Sequence, residues 1–302
     1  MRVALIGGTG FVGGYLVDAL LEAGHDVSLL VRRGSEGKVQ ADVWRTISGD
    51  TADDSAVAAT VAQCDAVIYN VGILRESPAQ GITFKSLQFD GVVRAVDAAK
   101  IAGVRRFLLM SANGAKVPGT PYQETKKRAE DHVLSSGLDA TVFRPSVIFG
   151  DPKGKMEIAT QLYRDVVRPP VPAPGFFTGE GHVRMSPVHV DDVSRAFVNA
   201  LTDDTAIGRT YVLGGPEVLS WSDMIGRVAK AVGTAKWVLP VPVGLMKIGA
   251  TLFDWLPFFP VTRDQLTMLA EGNTADPSII ESLIGRPPAA FTPDNLAYLS
   301  RQ

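Results

Sequence analysis

Residues 4–14 read ALIGGTGFVGG, and the reading of this stretch decides the fold. The apolar run RVALIG (2–7) leads into glycines at 7, 10 and 13, and a helical pattern, VGGYLVDALLEAG (12–24), follows at once. Glycines at that spacing, between a strand and a helix, form a dinucleotide-binding turn. Gly7 permits the tight turn, Gly10 lets the backbone approach a pyrophosphate, and Gly13 allows the helix to pack closely on the strand. The helix start supplies oriented N–H donors, which places Thr9, Phe11 and Val12 among the cofactor-binding positions.

Outward from this turn the alternation continues. Strand-like runs are DVSLLVR (26–32), AVIYNVG (66–72), RRFLLMSA (105–112) and ATVFRPSVIFG (140–150). Nearly continuous apolar strands separated by helical segments predict an α/β protein with a Rossmann-type, doubly wound parallel sheet. Right-handed crossovers then put the ligand crevice at the carboxyl ends of the strands. The expected NAD(P)-binding domain is 1–150, with the chain returning to it at about 183–215, where RTYVLGG (209–215) reads as a further strand. The Pro- and Gly-rich 151–182, together with 216–302, forms a smaller substrate-binding or lid region. Ser220 with Asp223, and Thr262 with Gln265, fit capping boxes; Thr292-Pro293 fits an N-cap followed by Pro.

Composition narrows the function classes. A formal charge of −2 gives no reason to expect nucleic acid or an anionic membrane as the main partner, so a small molecule becomes the default. The single cysteine, Cys64, cannot close an internal disulfide, which suits a reducing cytosol. The N-terminus turns to glycine where a secretory signal would stay apolar, and no uninterrupted apolar run reaches the roughly 20 residues of a membrane span. The expected location is cytoplasmic or membrane-peripheral. His189, Asp191 and Asp192 lack a supporting His/Cys cluster, so no metal is expected.

Cofactor choice is set at the end of the second strand, where an acidic residue would favour NAD. This chain has Arg32 and Arg33, whose guanidiniums suit the 2′-phosphate of NADP. NADP(H) is expected, with NAD(H) as the alternative. Asp50, in SGDTAD, is placed to accept from the adenine amino group, and Asn70 and Gly72 end the run AVIYNVG beside the nicotinamide ribose. In TPYQETKKRAE (120–130), Tyr122 and Lys126 stand four apart, on one face of a helix. A phenol with a reference pKa near 10 needs a neighbouring cation to act as a base at neutral pH.

Together GGTGFVG, YNVG, SANGA before YQETK, RPSVIFG, VHVDDVSRA and YVLGGPEVLSWSDMI resemble the extended and atypical short-chain dehydrogenase/reductases, the NAD-dependent epimerase/dehydratase-like superfamily. The short Ser111-to-Tyr122 connection, the YxxTKxxxE form ending at Glu130, and TRDQLTML look closest to the group of the complex I nucleotide-binding accessory subunit. The resemblance implies catalytic roles for Tyr122 as acid/base, Lys126 as the cation that lowers its pKa and holds the ribose, and Ser111 as the group that polarises the substrate oxygen. Arg144 and Ser146, ending a strand on the crevice side, are candidate substrate residues. Gln88 departs from the family, where an Asn supports a water beside the lysine.

Three functions follow. The first is an NADP(H)-dependent oxidoreductase or isomerase acting on a small carbonyl or hydroxyl compound; the second, a non-catalytic NADPH-binding accessory or assembly protein; the third, a sensor of the NADP⁺/NADPH ratio. In WVLPVPVGLMKIGATLFDWLPFFPV (237–261), Leu245, Ile248, Leu252 and Leu256 recur at helical spacing, and an apolar cluster, Trp255 to Pro260, follows. That cluster is expected to admit an apolar substrate or to dock on a membrane-bound partner.

Overall fold

A computed structural model describes residues 1–35, 37, 42–178, 181–244 and 263–301. The chain forms two compact units. Unit 1 comprises Met1–Pro145, Val190–Val212 and Ser282–Gly285; unit 2 comprises Ser146–His189, Leu213–Glu281 and Arg286–Gln302.

Unit 1 is built on strands β1 (Arg2–Ile6), β2 (Asp26–Val31), β3 (Arg45–Ser48), β4 (Ala66–Tyr69), β5 (Arg106–Met110) and β6 (Asp139–Pro145). A late strand, Thr210–Leu213, completes a seven-stranded sheet in the order Thr210–Leu213, β6, β5, β4, β1, β2, β3. β1 pairs in parallel with both β2 and β4, so the winding reverses between β1 and β4. Such a reversal opens the crevice in which doubly wound proteins hold their ligands.

The sheet is covered on both faces, and residue parity shows how. Ala4, Ile6, Val67, Tyr69, Phe107 and Leu109 join one apolar cluster with helices α2 (Asp54–Val61), α3 (Gly91–Ile101) and α4 (Pro121–Leu134). Val3 and Leu5 alternate onto the opposite face. There α1 (Phe11–Glu22) packs beside the helix Val190–Ala200, and Phe143 meets Phe197 with ring centroids 4.3 Å apart.

One expected strand is divided. The run 140–150 stays beside Thr210–Leu213 through the bond from the Ser146 N–H to the Leu213 carbonyl; from Val147 its partner changes, and Ile148–Phe149 pairs with Val188–His189 in a separate ladder. In unit 2, Val238–Pro242 pairs in parallel with Ala173–Thr178, which pairs antiparallel with Gly181–His182. Both halves of the Ser220/Asp223 capping box form at the start of the helix Trp221–Ala231. Thr292 accepts from the Asn295 N–H at 3.4 Å but opens a turn rather than an α-helix, which leads into the 3₁₀ segment Ala297–Arg301. The Thr262 cap, the helix expected around Leu245 to Leu256 and the Trp255–Pro260 cluster lie outside the described residues. Among the described residues, no helix is long and apolar enough to cross a membrane.

Candidate cofactor and catalytic site

The glycine turn joins β1 to α1. Gly7 adopts φ +102°, and a Cβ there would lie 2.7 Å from the Asn70 carbonyl oxygen. At Gly13 a Cβ would stand 2.1 Å from the Gly7 carbonyl oxygen, so the first turn of α1 presses directly on the loop. Gly10 is the N-cap and offers no side chain, no other side chain caps this helix, and no acidic residue occupies its first turn. The amides of a helix start are donors without intrahelical acceptors, at the positive end of the helix dipole. The arrangement fits a dinucleotide pyrophosphate.

Arg32 and Arg33 leave the carboxyl end of β2 exposed, in a turn closed by the Ser35 N–H donating to the Arg32 carbonyl at 2.9 Å. Arg33 lies near enough to Asp53 to help lower that carboxyl's pKa, after the Ser55 and Ala56 hydrogen bonds. Asp50 accepts from the Ala52 N–H at 2.7 Å and shapes the loop after β3. Asn70 is tied to the glycine turn: its backbone N–H donates to the Ile6 carbonyl at 2.8 Å, and its side-chain amide reaches the Gly7 carbonyl at 3.5 Å. A Cβ on Gly72 would lie 3.4 Å from the Lys126 ammonium, so the bare backbone at 72 makes room for the lysine.

Helix α4 begins at a full capping box, Thr120 with Gln123, and so presents Tyr122 and Lys126 one turn apart. Lys126 is buried; its Nζ donates to the Met110 carbonyl at 3.0 Å and to the Val71 carbonyl at 3.4 Å. Desolvation pulls its ammonium down to about 8, partly offset by the Glu130 carboxylate. Burial alone pushes the Tyr122 phenol up to about 12, and the ring stands edge-on to Phe84 at 5.6 Å.

One turn beyond Lys126, Glu130 is 1% exposed. It accepts from the Ser111 hydroxyl and, through both carboxylate oxygens, from Arg144, whose Nε lies at 2.8 Å. Arg144, at the carboxyl end of β6, is therefore half of a bidentate ion pair, and Ser111 has its proton directed at the same carboxylate. Ser146, in unit 2, donates its hydroxyl to the Asn273 carbonyl at 2.7 Å. The sequence marked Glu130 only as the end of a motif. Its spacing of four from Lys126 was the available signal, whereas nothing local points to Arg144.

Gln88 lies in a π-helical segment, Lys85–Asp90, and is 1% exposed. Its amide donates to the Ile73 carbonyl at 2.8 Å, and its Oε1 has no partner. It fastens the loop whose Val71 carbonyl receives Lys126. Among the described residues, no group of three His, Cys, Asp or Glu side chains is placed to hold a metal ion.

With this geometry in place, the chain belongs to the NAD(P)H-binding family, whose pattern residues 7–171 match. It is 30% identical over 284 residues to the mitochondrial NADH dehydrogenase (ubiquinone) 1 alpha subcomplex subunit 9 of Arabidopsis thaliana, a match covering 89% of this chain and 68% of that protein. It is 28% identical over 263 residues to a ceramide reductase of Caulobacter vibrioides, covering 84% and 78%. The fold matches a nucleoside-diphosphate-sugar epimerase of Pseudomonas aeruginosa with TM-score 0.75 at 16% identity, over 99% and 96% of the two chains.

Proposed function

We propose that the protein is an NADPH-dependent reductase acting on a small, apolar carbonyl compound. The observation that carries this reading is the placing of Tyr122 and Lys126 one turn apart on the capped helix α4, with the lysine fixed by the Met110 and Val71 carbonyls and the phenol pushed up by burial. At neutral pH Tyr122 keeps its proton, which suits donation to a carbonyl oxygen rather than abstraction from an alcohol. The nicotinamide, when bound, would supply the hydride. Lys126, fixed by two backbone carbonyls, would hold the nicotinamide ribose and stabilise the phenolate left after proton transfer. Ser111, its proton on Glu130, offers lone pairs, and so would orient Tyr122 or the product hydroxyl. Arg32 and Arg33, exposed at the end of β2, support NADPH over NADH. A relative named ceramide reductase supports the reducing direction and an apolar substrate.

A second reading is a non-catalytic NADPH-binding accessory protein. The Ser111–Glu130–Arg144 network favours it, since the hydroxyl that would polarise a substrate is internally bonded. The relative named as a subunit of NADH dehydrogenase supports it as well. In this reading bound NADPH stabilises the fold by mass action.

The test is to extract nicotinamide from purified protein and to follow NADPH oxidation over a panel of apolar aldehydes and ketones. Turnover that falls at least about 10²-fold in Tyr122→Phe, with NADPH affinity kept, is the expected result. Tight NADPH binding with no oxidation on any carbonyl would move the assignment to the accessory role.

A further inference from the structure

Unit 2 presents an apolar corner to solvent. Trp237 is 81% exposed, Val171 60% and Leu239 53%. The backbone brings them together. Ala173 donates its N–H to the Trp237 carbonyl at 2.7 Å, and the ladder continues with Val238 opposite Ala173 and Leu239 opposite Pro174. Trp237 and Leu239, two residues apart, face the same side of the strand, while Val238 between them packs on the core of unit 2. The Lys236 ammonium fixes the corner by donating to the carbonyls of Val167, at 3.0 Å, and Pro169.

The same two stretches of chain are basic. Residues 166–178 and 224–244 contain Arg168, Arg227, Lys230 and Lys236 and no Asp or Glu, in a chain of net charge −2. Arg227 is paired with Glu217. Arg168, Lys230 and Lys236 meet no carboxylate among the described residues. An exposed tryptophan and aliphatic side chains on two stretches that carry cations and no carboxylate are the composition of an interfacial anchor. The indole sits at headgroup depth and the cations meet lipid phosphates.

We infer that this corner of unit 2 docks on the surface of an anionic bilayer, with Trp237, Leu239 and Val171 at the interface and Arg168 and Lys230 against the headgroup phosphates. An added β-strand fits less well. It needs free N–H groups along the edge, and Pro240 and Pro242 remove two from Val238–Pro242. In sequence the corner runs directly into the apolar 245–261 stretch. The inference is independent of the reductase reading, since it needs no turnover.

Co-sedimentation of the full chain with vesicles tests it, using phosphatidylcholine alone and phosphatidylcholine with about 30% phosphatidylglycerol, at low and high salt. The expected result is partition onto the anionic vesicles at least roughly tenfold above the neutral ones, weakened by salt. Trp237→Ser/Leu239→Ser and Arg168→Glu/Lys230→Glu should each reduce it about tenfold or more. These side chains are exposed, so an unchanged melting temperature should confirm that the variants fold. No partition by the wild type would overturn the inference, as would partition that survives both double variants. A concentration-dependent dimer that Trp237→Ser abolishes, without vesicle binding, would reassign the corner to a protein contact.

Discussion

At the Gly7–Gly13 turn the start of α1 has no capping side chain and Arg32 and Arg33 stand exposed, whereas at the Tyr122–Glu130 corner Lys126, Ser111, Glu130 and Arg144 are bonded to one another or to backbone. The first region leaves its donors for something outside the protein. The second has closed its polar groups into the fold, because a buried charge without a partner costs several kcal/mol. Binding can therefore be strong while chemistry depends on how far the closed corner yields. The two proposed functions differ on that point alone.

The largest expected effect comes from opening the closed corner. Glu130→Ala strands the Arg144 guanidinium, whose side chain is 22% exposed, and deprives the Ser111 hydroxyl of its acceptor. Stability should fall by about 3 kcal/mol in urea denaturation. A loss under about 1 kcal/mol would show that the network is replaceable and the contrast with the open turn weaker than the geometry suggests.

An intermediate effect is expected at the open turn. Arg32→Ala/Arg33→Ala should weaken NADPH about tenfold, or about 1.4 kcal/mol, and leave NADH unchanged in parallel titrations. Equal losses for both cofactors would mean that the arginines do not read the 2′-phosphate.

The smallest effect probes Lys126, which links the two regions. Its native pKa of about 8 lies below the ordinary 10.5, so between those values the unfolded chain binds the proton that the native state has released. Stability must then rise with pH in this window, by about 1 kcal/mol from pH 8 to pH 9, and level off below it. Lys126→Met should lack the rise. Identical slopes in the two proteins would mean that Lys126 is not desolvated as its burial implies.

The legibility of the chain followed the range of its interactions. The turn at 7–13 was readable because strand, glycine spacing and helix are contiguous, and the alternating sheet was readable because each buried strand is an apolar run. The run 140–150 misled because its pattern stays apolar while its hydrogen-bond partners change after Ser146. Arg144 and Ser146 looked alike at a strand end, yet one pairs with Glu130 and the other bonds the Asn273 carbonyl. Such partners are distant in sequence, and no local periodicity encodes them. The orphan Oε1 of Gln88 was likewise out of reach, since it depends on the π-helical register of 85–90.

Unit 1 also has a history in time. Its first six strands precede Pro145, but the seventh, Thr210–Leu213, follows an excursion through unit 2. Until that strand is made, the Ala140 carbonyl and the Val142 N–H lack Gly208 and Arg209, to which they bond in the finished sheet. At roughly 5–20 residues per second, the ribosome leaves this edge of β6 open for seconds. An open strand edge is a template for mispairing. The yield of correctly folded protein should thus respond to the speed of translation across residues 146–209, a quantity that no equilibrium measurement on the finished chain would register.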